Sequence, residues 1–192
     1  IMYSAIREYM MEQWGAILIE GMEADDAVAI AITDNPQDVC VSEDKDLRTV
    51  PGLHLNPRKL NEGVVTITEE EALTFFYTQL LMGDSTDNIA GIITIAKSTK
   101  KKFSLANRKG CGIKTAEALL EGLKTEEELY QRVLRCYYEV ELEQMDVEDV
   151  DGWESMALEG AKQNMLLQGR LLHMGRALNE DGSCKQWELL HD

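Results

Sequence analysis

The chain lacks the ingredients of several common function classes. Its 192 residues hold four cysteines, Cys40, Cys111, Cys136 and Cys184, widely separated and with no CxxC pair. The three histidines, His54, His173 and His191, are equally scattered. That distribution argues against a zinc site and for a reduced, intracellular protein. No run of eighteen apolar residues exists, so no membrane-spanning helix is expected. No signal-peptide pattern, internal repeat or low-complexity tract is visible. The chain opens on Ile1 with a helix-like pattern at once, so the expectation is a fragment of a longer protein.

The most informative absence is local. The net charge is −16, which by itself disfavours a nucleic-acid partner. Between Asn88 and Ala116, however, there is no Asp or Glu. That stretch carries Lys97, Lys100, Lys101, Lys102, Arg108, Lys109 and Lys114, seven of the 19 basic residues. An acidic chain therefore contains one purely basic segment.

The order of elements follows from pattern. Met2, Ile6, Tyr9, Met10 and Trp14 fall on one face of a helix over 2–14, which Gly15 ends. "AILIE", 16–20, reads as a buried strand, 24–34 as a helix broken at Pro36, and "VCVS", 39–42, as a second strand. Strand, helix and strand make a parallel unit. Thr68 and Glu71 match a capping box for a helix over 69–82, which Gly83 stops. Further helices are expected over 113–121, 125–140 and 153–178, with Gly122 and Gly152 as breaks. The acidic stretch 139–152 reads as an exposed turn or linker.

Carboxylates gather at the ends of these elements. Glu23, Asp25 and Asp26 follow the first expected strand, and Asp44 and Asp46 follow the second. Ligands of parallel sheets bind at the carboxyl ends of strands. Asp84 and Asp87 follow a helix C-terminus, where negative charge opposes the macrodipole. With 35 acidic residues, each pair alone has a plain alternative: Asp25 and Asp26 as a helix start, Asp44 and Asp46 as a turn. Three such clusters at element ends, without His or Cys nearby, suit a hard cation such as Mg2+ or Mn2+. Two ions about 4 Å apart can clamp a phosphodiester displacement.

"GCGIKTAEALL", 110–120, places Gly110 and Gly112 ahead of a helix bearing Lys114 and Thr115. Exposed N–H groups there suit an anion, and the preceding lysines suit a phosphate track. The spacing is not that of a Walker loop. An interhelical turn and a solvated "KSTKKK" loop remain the alternatives.

The series "EADD", "SEDKDL", "GDSTDNIAG" and "GCGIKTA" resembles the flap endonuclease and 5′–3′ exonuclease family, including polymerase 5′-nuclease domains and phage exonucleases. The resemblance covers about residues 1 to 122, and "QNMLLQGRLLHMGR" with "QWELL" resembles the helical tail of phage members. It implies an α/β, PIN-like parallel sheet flanked by helices (1–87) and a helical subdomain with a helix-hairpin-helix element (88–192). It implies hydrolysis of phosphodiesters at or near DNA 5′ ends with two divalent ions. By motif, Glu23, Asp25 and Asp26 match ligands or near-ligands of the first metal. Asp44, Asp46, Asp84 and Asp87 match the set around the second, some acting through water. Gly110 to Lys114 matches the hairpin that grips duplex phosphates and often holds K+, with Thr115, Lys100, Lys101, Lys102, Arg108 and Lys109 as further contacts.

The implied setting is a monomer in the bacterial cytoplasm, or a phage protein in its host. Its implied partners are duplex DNA with a 5′ end or flap, or an RNA–DNA hybrid, and no membrane. The family's opening aspartate and basic arch have no counterpart here, so the chain resembles the C-terminal two-thirds of such a nuclease. A non-catalytic duplex-DNA-binding fragment is therefore the alternative function. A PIN ribonuclease is a third class, against which the hairpin argues. Residues 92–109 read as an insertion, either extending the DNA track or forming a mobile loop.

Overall fold

The computed structural model describes residues 2–105, 108, 110–145 and 152–191. Lys109 and residues 146–151 of the acidic stretch lie outside the described residues. The chain is α/β, with a small mixed sheet and a larger helical part.

Helix α1, Met2–Trp14, and helix α2, Ala24–Asp34, form where expected. The apolar face of α1 is nonetheless uncovered: none of its described residues is buried, and Trp14 is 77% exposed. Between the two helices the expected strand at 16–20 does not form, and Ile17 is 85% exposed. Short strands persist only when a neighbour supplies a hydrogen-bond ladder, and 16–20 pairs with no strand among the described residues. The parallel unit built on it is therefore corrected.

The parallel pair lies instead between β1, Val39–Val41, and β2, Gly52–Leu55, in register Val39 to Leu53 and Val41 to Leu55. β3, Val65–Ile67, closes the sheet antiparallel to β2. The expected all-parallel sheet is thus a three-stranded mixed one. A 3-10 turn, Asp46–Thr49, links β1 to β2 and packs Leu47 against Ala29, Ile32, Cys40 and Val50.

Helix α3, Glu69–Met82, begins at the expected capping box, with Thr68 accepting from the Glu71 N–H and Glu71 from the Thr68 N–H. Gly83 ends it at φ 69°. Phe76, Tyr77, Leu80 and Leu81 enter the main core. That core also takes residues from α5, Ile113–Leu120, α6, Glu126–Gln144, and α7, Trp153–Leu172. α6 starts at a second capping box, Thr125 and Glu128, and runs four residues beyond the expected end.

Two expectations change here. α7 stops at Leu172 rather than 178, because the chain turns extended at His173 and threads back along the fold. Gly175 permits that path: a side chain there would strike the Cys184 thiol, and its N–H donates to Asp26 Oδ1 at 2.7 Å. Residues 92–105 are not simply a loop. Ile92, Ile95, Ala96 and Leu105 are buried in the main core around a short helix, α4, Lys97–Lys102.

Candidate metal centre

The acidic residues part company in the structure. Among the described residues, one group of carboxylates lies close enough to share an ion. Asp46, Asp84 and Asp87 each place an oxygen within 4.8 Å of the others. Asp46 comes from the turn after β1, and Asp84 and Asp87 from the loop after α3.

That loop is tightly fixed. Asp84 and Ile89 exchange backbone hydrogen bonds, the Asp84 N–H donating at 2.9 Å and the Ile89 N–H at 2.8 Å. Gly83 and Gly91, both at positive φ, close its base, where a Cβ on Gly83 would meet the Ala90 carbonyl carbon and Gly91 nitrogen at 2.6 Å. The Gly91 N–H donates to Oε1 of buried Gln168 on α7 at 2.5 Å, tying the loop to the helical core. Asp84 Oδ1 accepts from the Thr86 N–H at 2.8 Å.

Two neighbours shape the electrostatics. Gln79, fully buried on α3, donates from Nε2 to Asp46 Oδ1 at 2.5 Å. Its Oε1 has no hydrogen-bond partner among the described residues, an expensive state for a buried acceptor. The Lys45 ammonium pairs with Asp84 and lies 4.0 Å from Asp46 Oδ1. Burial pushes the Asp46 carboxyl above its ordinary value, against the opposing pull of Gln79 and Lys45. The Lys45 hydrogen bond holds Asp84 below its ordinary value, and Asp84 raises Lys45 in return. Three convergent carboxylates and an orphan amide oxygen suit a hard divalent ion, and Lys45 supplies the only positive charge that the described contacts place on them.

The remaining acidic candidates are placed differently. Asp44 is exposed and accepts from the Asp46 N–H through Oδ1 at 2.9 Å, the turn geometry that was its alternative. Asp25 and Asp26 occupy the first turn of α2, with Glu23 at its N-cap, and none of the three joins the triad. Asp26 instead ties α2 to the C-terminal segment through Gly175.

The basic segment is held from beneath. Glu139 of α6, largely buried, accepts from the hydroxyls of Ser98 (2.7 Å) and Thr99, and from Arg135. Glu143 accepts from the Lys97 N–H at the start of α4. Lys97, Lys101, Lys102 and Arg108 are exposed, with Lys100 half-buried, and no ion pair among the described residues engages them. Gly112 caps α5, and Gly110, Gly112 and Lys114 are exposed. Thr115 is 2% exposed, so its hydroxyl is not offered to a surface ligand.

Sequence reasoning passed over Lys45, Gln79 and Gln168. A signal existed for Gln79, a lone amide inside the apolar run "FFYTQLLM" five positions before Asp84. Compared with protein-family models, curated proteins and solved structures, the chain matches none. No described helix is long and apolar enough to cross a membrane.

Proposed function

We propose that the chain belongs to a divalent-metal-dependent 5′ nuclease, an exonuclease or flap endonuclease that hydrolyses phosphodiesters at or near DNA 5′ ends. The observation that carries this reading is the Asp46–Asp84–Asp87 triad beside the orphan Gln79 oxygen. The resemblance of the motif order to the 5′-nuclease family supports the 5′-end specificity, and in this reading the mixed sheet belongs to a PIN-like core.

When bound, Mg2+ or Mn2+ would supply an activated water and charge neutralisation at the phosphate. The chain's own residues do the rest. Asp84 and Asp87 offer oxygens from a loop braced by Gly83, Gly91 and Gln168, so their positions need little reorganisation. Gln79 orients Asp46. Lys97, Lys100, Lys101, Lys102 and Arg108 supply unpaired positive charge for a phosphate track, as Coulomb attraction to a duplex requires. In this reading α5 is the second helix of a helix-hairpin-helix element whose Gly110–Lys114 segment meets the backbone and can take K+. Duplex DNA with a 5′ end or flap is the substrate, with an RNA–DNA hybrid as a further one.

A second reading, a duplex-binding module that does not cut, draws on one observation: Glu23, Asp25 and Asp26 stand outside the triad. Incubation of 5′-labelled duplex and flap DNA with Mg2+ or with EDTA separates the two. The nuclease reading expects metal-dependent loss of 5′ label, abolished by Asp84→Asn. Duplex binding without cleavage selects the binding module, and absence of both cleavage and duplex binding removes both.

A further inference from the structure

We propose that Lys45 is a built-in counter-cation of the acidic triad, which a divalent ion must displace before the site is loaded. This rests on the metal-site reading above and adds a control to it. The Lys45 ammonium already stands where an incoming ion would be coordinated, paired with Asp84 and 4.0 Å from Asp46 Oδ1. The Asp84 side chain is 2% exposed. A carboxylate so enclosed beside two others is strongly disfavoured unless a cation compensates it. Lys45 provides that cation from within the chain. Its own side chain is 49% exposed, so it can leave without unpacking the core.

Space for the departing side chain exists on the other flank. Lys45 also lines a cavity of ≈ 460 Å³ with Ser42, Asp44, His54 and Asn56, at the carboxyl ends of β1 and β2. An ammonium and a divalent ion cannot share one set of oxygens at short range, because like charges a few ångströms apart repel. The two therefore exclude each other. The lysine holds the triad assembled when divalent ions are scarce and sets the concentration at which the ion takes over.

Two readouts on the folded chain test this. Calorimetric titration with Mn2+ compares the wild type with Lys45→Met. Removing a partly exposed competitor of this kind should tighten binding about fivefold, corresponding to an ion pair worth about 1 kcal/mol. Loss of positive charge alone also favours a cation, so the second readout follows the amine directly in the wild type. An amine-reactive acetylating label, quantified by peptide mass spectrometry, should modify Lys45 at least threefold faster with saturating Mg2+ than without. Lys59 and Lys101 should not change. Unaltered Lys45 labelling in a protein that binds Mn2+ overturns the displacement and leaves the metal site standing. Mn2+ affinity in Lys45→Met equal to or weaker than wild type does the same. Absence of Mn2+ binding to wild type overturns the metal site itself, and the proposal with it.

Discussion

The acidic triad and the lysine helix are both dense clusters of one charge, yet they are built in opposite ways. The triad is assembled from two segments and set into the fold: Asp84 is nearly buried, its loop is pinned by two glycines and Gln168, and Gln79 holds Asp46. The lysines of α4 share one short helix, anchored from below by Glu139 and Glu143 while most of their charges stay in solvent. Convergent groups with fixed neighbours can coordinate a small ion, where ångströms matter. Solvated charges on a surface suit a polyanion, where charge number matters more than placement.

The contrast predicts unequal responses to substitution. Gly91→Ala should have the largest effect. At the Gly91 φ of 59° its Cβ would collide with the backbone of Gly83, so about 2–4 kcal/mol of stability should be lost in urea unfolding, with Mn2+ affinity falling alongside. An alanine variant of wild-type stability would mean that the loop is not braced as described. Glu139→Ala leaves the buried Thr99 hydroxyl without its acceptor and releases the exposed Ser98 and Arg135 to water. It should cost about 2 kcal/mol and speed amide exchange across 97–102 while leaving Mn2+ binding intact. Equal loosening of both regions would erase the distinction between them.

Acid should strike elsewhere. His173 packs edge-on against Phe76, and burial with nearby Arg176 lowers its pKa to about 4. The unfolded chain takes up that proton near pH 6.5, so stability falls as pH drops from about 6.5 to about 4. The loss should be about 2 kcal/mol smaller in His173→Gln, measured by urea unfolding at pH 7 and 4.5. Identical losses would exclude His173 as a source of acid sensitivity.

The smallest stability effect belongs to the triple change of Lys100, Lys101 and Lys102 to Ala. Exposed or half-buried surface positions of this kind shift stability by up to about 0.5 kcal/mol. The salt dependence of duplex affinity should become shallower by up to about 2.7 in log–log slope. A slope equal to wild type would take α4 off the phosphate track and leave the Gly110–Lys114 turn alone.

Local chemistry made part of this legible. Thr68 and Glu71 announce α3 because a capping box acts over four residues, and Gly83 announces its end because few residues accept its backbone angles. Asp46, Asp84 and Asp87 were legible as residues placed just beyond element ends. Their selection from seven candidate carboxylates was not, because it depends on where the Asp46 turn packs against α3. Lys45 meets Asp84 across 39 positions, a pairing that composition and spacing do not encode. The run at 16–20 misled because an apolar pattern states a need for cover without saying what supplies it. α7 ended early because of contacts at Gly175 that only the folded chain brings together.

The most direct test of the metal centre is Mn2+ calorimetry on the wild type, Asp84→Asn and Asp46→Asn, with folding checked by thermal melts. The account predicts saturable binding by the wild type, weakened at least tenfold in each variant. Binding by Asp84→Asn with wild-type affinity would contradict it.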